Sequence, residues 1–204
     1  NSPSNTITIT VNDQPTLTPI TAPSAVCDGS DLALTTPTVT NNGTAITSQE
    51  WQMETAVGSS IFATLASPYT VSFADNGKLM HYTATNTCGT TNSNEVTITV
   101  NDVPSLTAIS APSAVCSGSN LSLTAPTITT NGSAITAQEW EMETAIGSTI
   151  FATLASPFTV TFADNGKAVR YTTTNACGTT TSNEVTITVN DVPSLTAISA
   201  PSAV

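Results

Sequence analysis

The sequence predicts an all-β chain built from repeated two-layered sandwiches, and three observations predict it. Short apolar runs alternate with threonine and serine at a period of two, and no stretch keeps a helical period. Glycine, proline, asparagine and aspartate punctuate those runs throughout. The pattern also returns at a fixed interval. Residues 94–102, Asn-Glu-Val-Thr-Ile-Thr-Val-Asn-Asp, recur letter for letter at 183–191, and a close variant occupies 5–13; 102 − 13 = 89 and 191 − 102 = 89. Cys27 and Cys116, Trp51 and Trp140, and Cys88 and Cys177 keep the same offset. A constant long period marks an array. The sequence therefore divides into the last strand of a preceding repeat (1–13), two full repeats (14–102 and 103–191) and the start of a following one (192–204).

The elements follow in order. Residues 6–11 alternate strictly and read as a half-buried strand with Ile7, Ile9 and Val11 inward. An Asn-Asp-x-Pro joint follows at 12–15 and returns at 101–104 and 190–193. Joints this short leave little slack between neighbouring repeats. Residues 17–26 read as an edge strand interrupted by Pro19 and Pro23, since proline is tolerated at edges and kinks. Cys27-Asp28-Gly29-Ser30 is a turn, and Leu32 and Leu34 alternate into a second strand ending near Asn41-Asn42-Gly43. Residues 46–53 form a third, with Trp51 and Met53 inward and Glu50, Gln52 and Glu54 outward. Residues 61–65 make a short strand stopped by Ser67-Pro68; residues 69–73 alternate again before the turn Asp75-Asn76-Gly77. Residues 79–85 form a strand, and Cys88-Gly89 opens the turn into the last one, 96–100. The second repeat restates this through Leu121, Leu123, Trp140, Met142, Ile150, Phe162, Tyr171, Val185, Ile187 and Val189.

Composition narrows the function. Each repeat is long enough for a modest core. Charged residues are 8% of the chain, against about 25% in ordinary soluble domains. Threonine takes their place and suits the wet face of a strand. A net charge of −11 and a pI near 4.1 argue against nucleic acid and anionic membrane surfaces as partners. No apolar run is long enough to span a bilayer, and no signal peptide is visible.

The order Gly29-x-x-Leu32-x-Leu34, Trp51, Asp75-x-Gly77 and Ala84-x-Asn86-x-x-Gly89 resembles the immunoglobulin-like sandwich. The resemblance implies a B strand, a buried C-strand tryptophan, an E–F turn and an F strand, and places Trp51, Trp140, Tyr82 and Tyr171 in the cores. The positions of the usual B–F cystine correspond to Thr36 and Tyr82, so the cysteines lie in turns instead. Val-Cys-x-Gly near the start and Asn-x-Cys-Gly-Thr near the end resemble the tandem Ig-like and PKD-like repeats of giant Bacteroidetes surface proteins, the SprB-like adhesins of gliding species among them. That resemblance covers the whole chain and implies a secreted, cell-surface parent associated with the outer membrane.

Four cysteines at two repeated positions point to disulfides and an oxidising, extracellular setting. Zinc fails as a competitor, because no cysteine pair is closely spaced and His81 is the only histidine. Within-repeat pairing, Cys27–Cys88 and Cys116–Cys177, is the expectation; closing a loop of 88 − 27 = 61 residues stabilises by about 4 kcal/mol in the chain-entropy model. Ig topology opposes it by placing the two turns at opposite ends, beyond the reach of a cystine. A bond across the joint, Cys27–Cys177, respects that topology, and free thiols are the third alternative.

No catalytic group recurs convincingly. His81 corresponds to Arg170, so a histidine base is not a property of the repeat, and His81 reads as an exposed strand residue. No phosphate loop or nucleophile elbow is present. Glu50 and Glu54 lie about 13 Å apart on one strand face, too far for a retaining glycosidase pair. The acids shared by both repeats also include Glu139, Glu143, Asp75, Asp164, Glu95 and Glu184. The joint acids Asp13, Asp102 and Asp191 resemble cadherin calcium linkers, yet each joint supplies one carboxylate where calcium takes six to eight oxygens. A turn-forming Asn-Asp before proline is the plainer reading. No cofactor is required.

The sequence therefore predicts a non-enzymatic structural and adhesive repeat: a stiff extracellular stalk whose partners are neighbouring repeats and a surface or cell-envelope polymer. A carbohydrate-binding or spacer module of a secreted polysaccharide-degrading enzyme is one alternative, with Phe62, Phe151, Tyr69 and Phe158 as the aromatics able to meet a sugar. A subunit of a surface filament is another.

Overall fold

Residues 46–54, which alternate apolar and polar at Trp51-Gln52-Met53-Glu54, form the longest strand of the first unit, and the sheet is built on it. The computed structural model describes residues 7–198. The chain divides into two units, Asn1–Asp102 and Val103–Val204. In the first, the strands are β1 (Thr16–Leu17), β2 (Val26–Cys27), β3 (Val39–Thr40), β4 (Ile46–Glu54), β5 (Phe62–Thr64), β6 (Leu79–Asn86), β7 (Gly89–Asn92), β8 (Val96–Thr97) and β9 (Val100–Asn101). In the second they are β10 (Ser105–Leu106), β11 (Val115–Cys116), β12 (Ile128–Thr129), β13 (Ile135–Glu143), β14 (Phe151–Thr153), β15 (Ala168–Asn175), β16 (Gly178–Thr181), β17 (Val185–Thr186) and β18 (Val189–Asn190). Two single 3₁₀ turns, Phe73–Asp75 and Phe162–Asp164, are the only helical pieces among the described residues.

The main sheet of unit one is antiparallel, in the order β5-β4-β6-β7, with β8 also on β6. Its register sets Trp51 opposite Tyr82 and Gln52 opposite His81. The second layer is sparse. β1 pairs β3, β2 pairs β9 in parallel, and Asp31 bridges Thr70. Unit two repeats this arrangement with β14-β13-β15-β16, β10–β12 and β11–β18. Each unit is thus an Ig-like all-β sandwich with one continuous sheet and one fragmentary one.

The cores are small. Leu32, Met53, Val71, Met80, Ile98 and Val100 form that of unit one; Met142, Val160, Val169, Ile187 and Val189 form that of unit two. Tyr82 and Tyr171 are buried, whereas Trp51 and Trp140 are half-buried and pack on the core edge. Each indole meets its tyrosine edge to face, at 5.2 and 5.1 Å between ring centres.

Several strands differ from the expectation. Ile7, Ile9 and Val11 form no strand and stand exposed, because the buried seats such a strand would fill are held by the unit's own Ile98 and Val100. Val192, Leu195 and Ile198 are likewise exposed; residues 1–6 and 199–204, where the expected preceding strand begins and the following repeat continues, lie outside the described residues. Pro19 and Pro23 limit the first edge strand to two-residue pieces, consistent with their missing N–H donors. Asn94 compensates between them: its side chain accepts from the Ile20 N–H at 2.8 Å and donates to the Ile20 carbonyl at 3.0 Å. The expected last strand splits around Ile98, as β8 joins β6 and β9 turns to β2.

Candidate functional site

The acids shared by both units are set by backbone geometry. Glu54 is not outward. It is buried at the last rung of the β4–β6 ladder, where its carboxylate accepts the Leu79 N–H at 2.8 Å; Glu143 does the same for Ala168 at 2.8 Å. Alternation fails there because an unmet N–H at the sheet end draws the carboxylate inward. Glu50 accepts from the Gln52 amide, and Glu139 from Thr153 at 2.9 Å.

Asp75 closes the 3₁₀ turn. It is buried, ion-paired to Lys78 at 2.7 Å, and accepts from the Ser72 N–H at 2.9 Å, the Ser72 hydroxyl at 3.2 Å and the Tyr69 hydroxyl at 3.1 Å. Burial alone pushes its carboxyl pKa up. The Lys78 ammonium, the Ser72 N–H and the Tyr69 hydroxyl outweigh that and hold it below the ordinary value. Tyr69 moves the other way, raised by burial and then by the Asp75 carboxylate. Asp164 keeps the lysine, Lys167 at 2.7 Å, and the N–H and hydroxyl of Thr161, but Phe158 replaces the tyrosine. Its pKa is also held down against burial.

His81 corrects another expectation: it is buried, on the β6 face that meets Phe62. Its ring lies 4.3 Å from that of Phe62, its Nε2 3.2 Å from Gln52 Oε1 and its Nδ1 4.0 Å from Glu95. Burial pushes its pKa down, opposed by the Glu95 charge. At the corresponding place Arg170 donates to Glu141 at 2.7 Å, stands 3.7 Å over the Phe151 ring and lies 3.7 Å from Glu184. The two repeats therefore exchange a neutral Gln–His contact for an ion pair. The signal was present in the sequence, as a joint change at 52/141 and 81/170, but only the strand register makes those positions neighbours.

The sparse layer leaves an open groove of about 630 Å³ in unit one, lined by Trp51, Tyr69, Tyr82, Gln49 and Thr36 among others. Tyr82 donates to Gln49 at 3.2 Å, and Tyr69 is held by Asp75, so the polar atoms of both phenols are engaged within the protein. The matching groove in unit two, at Trp140 and Phe158, is about 260 Å³.

The cysteines occupy opposite ends of each unit. Cys27 lies in register with Asn101, and Asp28 N–H donates to the Asn101 carbonyl at 2.8 Å. Cys88 follows β6 in the turn to β7, eight strand residues or roughly 26 Å from the other end. This distance excludes within-repeat cystines, since bridged Cα atoms lie within about 7 Å. Cys88 and Cys116 are free and exposed thiols, correcting the expected Cys27–Cys88 and Cys116–Cys177 pairs. Cys27 and Cys177 are each oxidised in a disulfide.

The joint residues are anchored to these ends. In unit one Asn86 donates to the Asp13 carbonyl at 2.8 Å, Asn42 to the Gln14 carbonyl at 2.6 Å, and Asp13 N–H to Asn42 at 3.1 Å. In unit two Asn131 donates to the Val103 carbonyl at 2.7 Å and Thr180 to that of Pro104. Asn42 and Asn131 reach these carbonyls from left-handed backbone, φ 49° and 50°. A Cβ on Gly89 would stand 2.6 Å from the Gln14 amide, and one on Gly178 2.9 Å from Val103. The turn bearing the second cysteine thus packs directly on the joint that precedes its unit. Asp13 and Asp191 accept the next N–H, from Gln14 at 2.7 Å and Val192 at 2.8 Å, the local turn their sequence predicts; Asp102 is half-buried. Among the described residues no group of three or more His, Cys, Asp or Glu side chains comes together to hold a metal, and no helix is long and apolar enough to cross a membrane.

No protein-family model matches the sequence, and neither does any curated protein. Among solved structures the chain is similar to the titin domains z1z2 from a complex with telethonin, at 16% identity and TM-score 0.32, covering 90% of this chain and 100% of that one. It is also similar to the N-terminal four Ig domains of Dscam1 isoform 9.44, at 15% identity and TM-score 0.43, covering 88% of this chain and 46% of that one. Extracellular domains 3–5 of Drosophila OTK match at 13% identity and TM-score 0.39, covering 88% and 63%. The chain spans about half the length of the Dscam1 structure. These likenesses concern the Ig-like fold alone.

Proposed function

We propose that the chain is a non-enzymatic structural and adhesive segment of a long extracellular cell-surface adhesin. It acts as a stiff stalk that carries contacts away from the cell. The observation that carries this reading is the anchoring of the joints. Asn101 is laddered to Cys27 at the end of unit one, while Val103 and Pro104 accept hydrogen bonds within unit two. Only Asp102 stands between these two anchored positions, so the linker itself is short. The engagement of Glu54, Glu143, Asp75 and Asp164 by backbone N–H groups and lysines supports a chain without turnover. The sequence resemblance extends the proposal to an outer-membrane-associated Bacteroidetes parent of the SprB-like type, serving surface attachment and gliding, with a surface or envelope polymer as the ligand of that parent.

Small-angle scattering on the full chain tests the stalk. A single narrow interdomain distance is expected, and inserting Gly-Gly-Ser-Gly after Asp102 broadens it. Equal breadth before and after insertion overturns the reading. The aromatic groove at Trp51 favours a second reading, a carbohydrate-binding module. Retained polysaccharide binding that is lost in Trp51→Ala would establish it.

A further inference from the structure

We propose that Asn42-Gly43 and Asn131-Gly132 are self-modification sites, where the folded chain converts each asparagine to aspartate or isoaspartate through a succinimide and so releases the anchor its side chain makes. The chemistry stands apart from the stalk reading. Only its consequence for the joints rests on that reading, and the two are read by different measurements.

The chain holds four Asn-Gly pairs, at 42–43, 76–77, 131–132 and 165–166. In such a pair the glycine nitrogen, as it loses its proton, attacks the Cγ of the asparagine before it. A five-membered ring closes, the Cγ–Nδ2 bond breaks, and Nδ2 leaves as ammonia. Water then opens the ring. Breaking the bond from the glycine nitrogen to Cγ gives aspartate; breaking its bond to the main-chain carbonyl carbon gives isoaspartate. The net change is one carboxamide and one water to one carboxylate and one ammonium, with no oxidant or reductant. Glycine in second place assists because no Cβ shields its nitrogen.

The fold separates the four pairs into two kinds. Gly77 N–H donates to the Ile98 carbonyl at 3.0 Å, and Asn76 Oδ1 accepts the Val100 N–H at 3.0 Å. Gly166 N–H donates to the Ile187 carbonyl at 3.0 Å, and Asn165 Oδ1 accepts the Val189 N–H at 2.9 Å. Attacking nitrogen and attacked carboxamide are both held there. Freeing them pulls fully buried Ile98 and Val100, or Ile187 and Val189, out of the cores. Exposing two such side chains makes the reactive state rarer by at least about a hundredfold.

The other two pairs are held by far less. Gly43 N–H meets only Asn41 Oδ1, at 3.5 Å, which is long for a hydrogen bond, and Gly132 N–H has no partner among the described residues. Both glycines are exposed. One side-chain bond restrains each asparagine, from Asn42 to the Gln14 carbonyl at 2.6 Å and from Asn131 to the Val103 carbonyl at 2.7 Å. Breaking one such bond slows the reaction by no more than roughly tenfold.

The anchor itself creates the reactive pair. Asn42 and Asn131 reach their carbonyls from left-handed backbone, which asparagine tolerates. Gly43 and Gly132 follow at φ 96° and 92°, and a Cβ on Gly43 would stand 2.5 Å from Asn12 Oδ1. Conversion to aspartate removes the Nδ2 donor and sets a carboxylate against a carbonyl, two acceptors with no proton between them. Isoaspartate adds a methylene to the main chain and displaces the turn as well. Either product frees Gln14 from the end of unit one, or Val103 from that contact in unit two.

The test incubates the full chain in mildly alkaline buffer, folded and in denaturing urea, and maps peptides by mass, with isoaspartyl methyltransferase labelling the iso form. In urea all four pairs should convert at similar rates. In the folded chain Asn42 and Asn131 should convert at least about tenfold faster than Asn76 and Asn165. Conversion of Asn76 or Asn165 as fast as Asn42 in the folded chain overturns the chemistry. So does an unchanged Asn42 and Asn131 in the folded chain when the urea sample has converted, or the same order of rates in both samples. Asn42→Asp, made directly, should be cut faster than the unaltered chain by protease at the 12–15 joint; equal cutting overturns the release of the anchor.

Discussion

Replacing Tyr69 by phenylalanine removes one oxygen from the turn that the two units build differently. The lost interaction is the 3.1 Å hydrogen bond to Asp75 Oδ2. Bonds to an ionised acceptor contribute about 1.5–3 kcal/mol. The same oxygen keeps the Ser72 N–H at 2.9 Å and hydroxyl at 3.2 Å, so the carboxylate is not orphaned and the low end, about 1.5 kcal/mol, applies. In a repeat of this size that lowers the unit-one melting temperature by about 6–12 °C. The sign with pH follows from Asp75, whose folded pKa lies below its unfolded value. Its contribution is fully present above the unfolded value of about 4 and is lost as pH falls through the folded one. Calorimetry on the full chain at pH 7 and pH 2 is the assay. The Tyr69→Phe penalty should be confined to one transition and shrink in acid, and Phe158→Tyr should raise the other transition at pH 7. An equal penalty at both pH values, or none at pH 7, refutes the reasoning.

Acid should weaken unit one through His81, whose folded pKa is lowered by burial: its stabilising contribution is present above about pH 6.5 and lost as pH falls through the folded value. The double replacement Gln52→Glu with His81→Arg, which installs the pair of unit two, should remove that dependence in urea titrations between pH 7 and pH 5. Ala at Gly89 should destabilise unit one by about 1–3 kcal/mol, since the backbone stands at φ +146° and a Cβ meets Gln14 at 2.6 Å; proteolysis at the 12–15 joint would reveal the loosening. Ile98→Ala should cost about 2–5 kcal/mol in denaturant, because the side chain is fully buried where the last strand changes partner, whereas Ile198→Ala, 98% exposed, should change stability by less than about 0.5 kcal/mol.

The all-β class and the long strands were legible from the short apolar–polar runs and the turn residues that bound them, although β6 is buried on both faces from Met80 to Ala84. Met53, Met80 and Val100 are buried where alternation places them. Glu54 and His81 defeated the same rule. At those positions an unmet backbone N–H and a flanking Phe62 ring matter more than side-chain polarity. The strands of the sparse layer were overextended, since residues such as Leu34 have the right character but prolines and missing partners deny them a ladder.

By itself the sequence determined the repeat, the alternation and the chemistry available: four cysteines, few charges and one carboxylate per joint. Those are properties of order along the chain. Which cysteines oxidise and which stay free, and which polar side chains meet across strands, was decided only by the tertiary structure. Such outcomes depend on the length of β6 and the register of β4 against it, distances that residue identity does not encode.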